Sequence, residues 1–313
     1  MRLAIDAWDP DYGSGTEGTT LVESEVAVDV DAEVPIAAWA PRRPPPSTQP
    51  WPSVVFVDGV RRVDARAWIT DDGGVTRQGI CASYAAGAVR SNGTAKVACC
   101  EVRRALVCPP EGADDISTSC GTYILRGTAT DDPEQLSLAL QRCMGDLEVA
   151  VAQQVRAEGG DPAEPVVVDG PLRQHRMLPG AVGYVKTLHR SYGPPVVLDV
   201  AARLEAGERT PLFLIGEGFT RWSWYLRLPG ERTHPLAGIV RCEAASDIPV
   251  AEAVALADVA SRSLPRYASQ PHKDSRAPQN LYPIAGLERE LRHRLGDQPL
   301  VQRALRVAAR RLA

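Results

Sequence analysis

The sequence predicts an α/β fold built on a mixed β-sheet with flanking helices, and three observations predict it. Apolar runs of strand length, separated by Gly-, Asp- and Asn-containing turns, fill residues 54–108. A long stripe at helical spacing follows, from Leu136 to Val155. The chain then returns to a short apolar run, Val166-Val167-Val168, that ends in Asp169-Gly170. Several strands, then a helix, then a further strand make a mixed sheet; a doubly wound sheet would alternate strand and helix from its start.

Taken in order, residues 1–50 form an acidic, Pro-rich N-terminal arm and residues 51–313 the folded body. The arm carries nine acidic and three basic residues, a net of −6. A short strand is expected at 2–5, and the Pro-rich stretch 41–50 reads as an extended connector. Residues 54–58 are continuously apolar before Asp58, as suits a buried strand, and a second strand is expected at 63–69. Asp71-Asp72-Gly73-Gly74 and Ser91-Asn92-Gly93 are turn signals that bracket strands at 78–89 and 95–107. A short strand is expected at 123–125. Asp131-Asp132-Pro133-Glu134 opens a helix, because proline and acidic groups suit a first turn. Leu136, Leu140, Met144, Leu147, Val151 and Val155 share one face of it, and Gly159-Gly160 closes it. Residues 196–198 read as extended and 200–206 as a short helix. Strands are expected at 211–215, 222–228 and 236–242, and helices at 250–264, 284–295 and 299–312.

The chain has 313 residues, 44% of them apolar, which suffices for a sizeable core. Its formal charge is −4, so the body without the arm is +2, and its arginines are clustered. An acidic arm on a mildly basic body is compatible with a polyanionic partner. Seven cysteines without framework spacing read as reduced thiols of a cytoplasmic protein. No apolar run approaches bilayer length, so no membrane association is expected. Gly216-Glu217-Gly218 lacks a following Gly-Lys-Ser/Thr, which excludes a phosphate-binding loop there. No Gly-x-Ser-x-Gly elbow occurs either.

The carboxylates carry the chemistry. Asp58 and Asp169 each stand where an apolar strand stops and glycine follows, and glycine permits close approach. Glu148 lies between them, on the edge of the helical stripe and 21 residues before Asp169. Carboxylates from two strands and a helix can converge at a sheet end and hold Mg²⁺ or Mn²⁺ through hard oxygen ligands, the arrangement of metal-assisted phosphodiester hydrolysis. Glu101, on the fourth strand, competes with Glu148 as third ligand. Phe219-Thr220-Arg221-Trp222-Ser223-Trp224-Tyr225 interleaves aromatics with arginine; alternation along a strand favours core packing over base stacking.

Phe56-Val57-Asp58-Gly59-Val60-Arg61-Arg62, Val168-Asp169-Gly170-Pro171-Leu172, Gly183-Tyr184-Val185-Lys186 and Leu281-Tyr282-Pro283 resemble, in this order, the successive motifs of the NurA family of DNA-repair nucleases. The likeness runs from about residue 54 to about residue 295. It implies an RNase H-like fold, Mn²⁺ or Mg²⁺ in a two-metal site, and a homodimer. It further implies cleavage of single- and double-stranded DNA as a 5′–3′ exonuclease and single-strand endonuclease. The partner implied is a HerA-type hexameric translocase acting in end resection. Carried over by motif, Asp58 and Asp169 are metal ligands, Glu148 the helix carboxylate, Lys186 a neighbour of the scissile phosphate and Tyr282 part of the late motif. The family pairs that tyrosine with a downstream histidine; here the region reads Leu287-Glu288-Arg289-Glu290-Leu291, with His293 and His272 as the nearest candidates. That departure leaves a second expectation: an inactive NurA-like adaptor docked on a ring translocase, with anti-phage defence as one setting. An RNA-directed RNase H-like enzyme is a third.

Overall fold

Residues 54–57 are four consecutive apolar side chains, each fully buried, and they begin the longest strand among the described residues. The computed structural model describes residues 22–23, 26–158, 161, 163–187, 190–216 and 219–312. In chain order the elements are β1 (Val22–Glu23), β2 (Val28–Asp29), β3 (Val54–Thr70), β4 (Thr76–Ser91), β5 (Ala95–Cys108), β6 (Ile116–Thr118), β7 (Gly121–Gly127), α1 (Pro133–Ala157), β8 (Val166–Asp169), β9 (Ala181–Val185), β10 (Arg190–Ser191), α2 (Pro195–Arg203), β11 (Phe213–Ile215), β12 (Arg221–Arg227), β13 (Ile239–Ala245), α3 (Val250–Ser263), α4 (Tyr282–Arg294) and α5 (Gln298–Leu312). The fold is mixed α/β, a large mixed sheet flanked by helices, as expected.

The chain packs as two compact units. The first comprises Met1–Phe56, Arg90–Ala95 and Asp161–Ala285; the second comprises Val57–Val89, Lys96–Gly160 and Gly286–Ala313. This division differs from the expected arm over 1–50 and body over 51–313. Its physical cause is Trp39, buried beside Phe213, whose indole N–H donates to Val30 O at 2.9 Å. Val30 and Trp39 of the arm are therefore part of a core of the first unit. The strand expected at 2–5 lies outside the described residues.

In the first unit the strand order is β2-β11-β12-β13-β9-β8. Neighbours from β2 to β9 are antiparallel, and β8 and β9 are parallel. Alternation along β12 sends Trp222, Trp224 and Leu226 into a core with Ala253, Ala257 and Ala260 of α3. Tyr225 enters a second core with Phe213, Ile239 and Val197, Val200 and Ala201 of α2. Trp222, Trp224 and Tyr225 of the aromatic run are thus core and not a stacking surface. Helix α2 starts at Pro195, so residues 196–198, expected as extended, are helical. Proline at the first position is preorganised for a helix, and Val197, Val200 and Ala201 form its buried face.

In the second unit the order is β3-β4-β5-β7-β6, with β5 and β7 parallel. The Asp71–Gly74 turn closes on itself, with Asp71 N–H donating to Val75 O at 3.0 Å. Helix α1 starts as predicted, with Asp132 accepting from Gln135 N at 3.3 Å, and its predicted stripe is buried throughout. The predicted closing pair, Gly159-Gly160, lies outside the described residues. Strands expected at 54–58 and 63–69 are one continuous strand, β3. Asp58-Gly59 therefore lies inside a strand and does not end one. By contrast, Asp169 does end β8, and Gly170 follows with φ of 101°.

Candidate active site

Gly59 organises the second unit's acidic centre. A β-carbon built on it would lie 2.3 Å from Glu148 Oε1 and 2.9 Å from Met144 Cγ. Any side chain there would force the glutamate carboxylate to shift. Asp58 leaves β3 on the opposite side from Gly59. Its carboxylate turns back, and Oδ1 accepts the Gly59 amide N–H at 2.8 Å. Asp58 Oδ1 and Glu148 Oε1 thus both approach Gly59, one at its amide and the other in the space where a side chain would stand. Both residues are more than nine-tenths buried. The sequence placed a glycine after Asp58 for close approach; the group that approaches is Glu148. Its competitor Glu101 instead pairs with Arg103 at 2.9 Å on the surface of β5.

The face of α1 that carries Glu148 continues through Met144, Gln141 and Ser137, spaced four, three and four residues apart. Opposite this stripe, β3 presents Gly59, then Arg61, which donates to Gln141 Oε1. A cavity of about 550 Å³ follows along the seam, lined by Arg61, Val63, Arg66, Gln78, Ser137 and Leu140 among others. It contains neither carboxylate; it begins two residues beyond Gly59.

Asp169 and Lys186 meet in the first unit. The register of β8 on β9 pairs Asp169 with Tyr184, and Lys186 stands just beyond the end of β9. Lys186 Nζ donates to Asp169 Oδ2 at 2.6 Å and to Asn280 Oδ1 at 2.8 Å. Asn280, fully buried, donates through Nδ2 to Asp274 Oδ2 at 2.6 Å. That bond fixes the amide orientation, so its oxygen must face the ammonium. Gly183 is required by the chain crossing beside it, since a β-carbon there would lie 2.7 Å from Leu172 N. Sequence reasoning found Asp169 and Lys186 and missed Asn280 and Asp274, which are far away in the chain and carry no spacing signal.

The late-motif residues are dispersed. Tyr282 opens α4, partly exposed, with Lys273 Nζ 5.4 Å from its ring centroid. His272 and His293 are both exposed, in a turn and near the end of α4. Among the described residues the buried histidine is His175, after Asp169; burial lowers its pKa to about 4. Buried Glu243 is a structural ion, accepting from Arg221 Nε at 2.9 Å, Arg241 Nη2 at 2.8 Å and Leu172 N at 2.9 Å. Asp64 is likewise satisfied by Ser83, Tyr123 and Arg62.

Among the described residues no group of three or more His, Cys, Asp or Glu is placed to hold a metal ion. Carboxylate oxygens such as those of Asp58 and Glu148 are of the donor type that Mg²⁺ or Mn²⁺ takes. Mg²⁺ is commonly held by one or two carboxylates, with water and substrate phosphates completing the shell. No protein-family model matches this chain, and no curated protein matches it. None of the helices among the described residues is long and apolar enough to cross a membrane.

Proposed function

We propose that this chain is a divalent-metal-dependent DNA nuclease whose ion is held by Asp58 and Glu148. The observation that carries the reading is the convergence of these two carboxylates on Gly59. A buried glutamate packed onto a glycine in mid-strand takes its position from the space that the glycine leaves, and a ligand must be positioned. Mg²⁺ or Mn²⁺ held there supplies a Lewis acid for a phosphoryl oxygen and an activated water. The chain's own residues do the rest. Asp58 and Glu148 present oxygen donors that burial keeps from bulk water. Arg61, one strand repeat along β3, offers a guanidinium to a substrate phosphate, and the cavity beyond it has room for one nucleotide-sized group. Asp169, expected as a third ligand, is paired with Lys186 at 2.6 Å; the assignment proposed here names the two carboxylates of the second unit.

The motif resemblance supports DNA as substrate, an RNase H-like fold, a homodimer and a HerA-type translocase as partner. The test is cleavage of labelled single-stranded DNA, duplex DNA and RNA with Mn²⁺, Mg²⁺ or EDTA. Metal-dependent cutting of DNA that Asp58→Asn and Glu148→Gln each abolish is the expected result. Cutting by either variant at the wild-type rate would remove the assignment. The exposure of both His272 and His293 favours one alternative, the non-cutting adaptor. It predicts a stable translocase complex, no cleavage even within it, and no Mn²⁺-induced rise in melting temperature.

A further inference from the structure

We propose that the fork between β5 and β7 is a metal-independent docking groove for a nucleic-acid phosphate backbone. The parallel register of these strands joins Ala105–Cys108 to Ile124–Gly127. Before that register they part, because β7 turns away to pair antiparallel with β6 from Gly121 to Tyr123. The opening is a cavity of about 440 Å³ whose lining includes Arg103, Arg104, Arg126, Arg294 and Tyr84. None of these residues belongs to the carboxylate pair at Gly59.

Arg104 is built into the wall. Its Nε donates to Cys120 O at 2.9 Å and its Nη1 to Ser83 Oγ at 2.6 Å. Arg126, exposed on β7, lines the same opening as Tyr84. Arg103 and Arg294 are exposed and pair with Glu101 at 2.9 Å and Glu290 at 2.7 Å. Four guanidiniums against two carboxylates leave an excess of two positive charges in one groove. Exposed pairs of this kind are worth little, so a phosphate can displace either carboxylate. Guanidinium matches phosphate oxygens two at a time. The cations come from β5, β7 and α4, so they are spread along the groove, which suits successive phosphates of a strand better than one small anion. Val102 and Ile124, both partly exposed, offer apolar surface to the sugar edges beside them. The inference rests on the reading of the chain as a nucleic-acid enzyme, and it supplies a substrate-holding surface that needs no ion.

The test is binding of a fluorescent single-stranded DNA, by anisotropy in EDTA, between about 50 and 200 mM salt. The intact chain is compared with Arg103→Gln/Arg126→Gln/Arg294→Gln. The control is Arg303→Gln/Arg306→Gln/Arg310→Gln, exposed arginines of α5 whose loss changes net charge equally. The groove variant should lower the slope of log affinity against log salt by about 2 to 3, with affinity at least about tenfold weaker near 100 mM. The control should retain the wild-type slope, and both variants the wild-type melting temperature. Equal slopes for wild type and the groove variant would overturn the proposal, as would equal losses in the two triple variants. Equal competition by polyglutamate of matched length would assign the groove to an acidic protein segment and overturn it too. Because EDTA removes cleavage, the two readings fail separately. A lowered slope without any nuclease activity leaves the groove standing, and metal-dependent cutting with an unchanged slope leaves the nuclease standing.

Discussion

Replacing Gly59 by alanine is the sharpest probe of the acidic centre. The new methyl carbon would lie 2.3 Å from Glu148 Oε1, 3.1 Å from Glu148 Cδ and 2.9 Å from Met144 Cγ. Ordinary carbon contacts begin near 3.5 Å, so the carboxylate must retreat by roughly 1 Å and Met144 by about half that. Overpacking of this size costs about 1–3 kcal/mol. Alanine in place of a mid-strand glycine returns about 0.5–1 kcal/mol. The net loss of stability is therefore small, about 0–2 kcal/mol, because both obstructing groups are flexible side chains. The functional loss is larger. A catalytic group misplaced by about 1 Å costs on the order of 100-fold in rate. The assay is initial cleavage rate with Mn²⁺, paired with urea denaturation and the Mn²⁺-induced rise in melting temperature. The expected result is a folded protein, cleavage down about 100-fold and a diminished rise with Mn²⁺. Glu148→Asp in the alanine background withdraws the carboxylate by one methylene and should recover part of the metal response. Wild-type cleavage and wild-type Mn²⁺ stabilisation in Gly59→Ala would refute the reasoning, since Glu148 could not then be a ligand in the position the structure gives it.

Other parts of the chain make independent predictions. Burial lowers the His175 pKa to about 4, so as pH falls below about 6.5 the unfolded chain takes a proton that the folded chain refuses. Stability from this residue is complete above about pH 6.5 and lost down to pH 4, by about 3 kcal/mol in total. Urea denaturation at several pH values should show that loss shrink in His175→Gln, and an unchanged pH dependence would contradict it. Lys186→Met leaves Asp169 and Asn280 facing an apolar group; breaking a buried pair this way should cost about 3 kcal/mol. Adding Asp169→Asn should recover part of it, whereas a single-variant cost below about 1 kcal/mol would show that the pair contributes little. Burial raises the thiol of Cys81 to about 12 and that of Cys108 to about 11. Both should stay unmodified by a thiol reagent in the native protein and react on unfolding; modification at the rate of an exposed cysteine would place them wrongly.

Much of the fold was legible because it rests on local periodicity. Helix α1 has a proline and an aspartate cap at its start and an apolar residue every three or four positions, and both ends of that signal lie within a single stretch of chain. The strands β3, β4 and β5 are joined by short turns whose residues are equally local. What escaped is set by partners remote in sequence. Residues 196–198 carry three β-favouring or apolar side chains, and only the core of the first unit selects helix for them. Trp39 stands in the acidic arm, where nothing near it announces Phe213, 174 positions downstream in the chain. The Lys186 centre was half visible. Its lysine and aspartate sit on adjacent strands, whereas Asn280 and Asp274 reach it from a loop nearly a hundred residues away.

The two Asp-Gly pairs show why the same dipeptide cannot be given the same meaning twice. Gly170 has φ of 101° and nothing within 4 Å of a β-carbon. It is glycine for its backbone angle, which turns the chain out of β8. Gly59 shows no such angle and continues β3 as regular strand; it is glycine for the space that Glu148 occupies. Substitution separates the causes. Asparagine tolerates positive φ better than alanine does, so Gly170→Asn should be milder than Gly170→Ala in stability. At Gly59 the order reverses, because the larger side chain displaces Glu148 further. Side-chain size should therefore set the loss of metal response at Gly59, and backbone preference the loss of stability at Gly170. If alanine and asparagine ranked the same way at both positions, the distinction between an angle and a space would fail, and with it the reason for reading Glu148 as a fixed ligand.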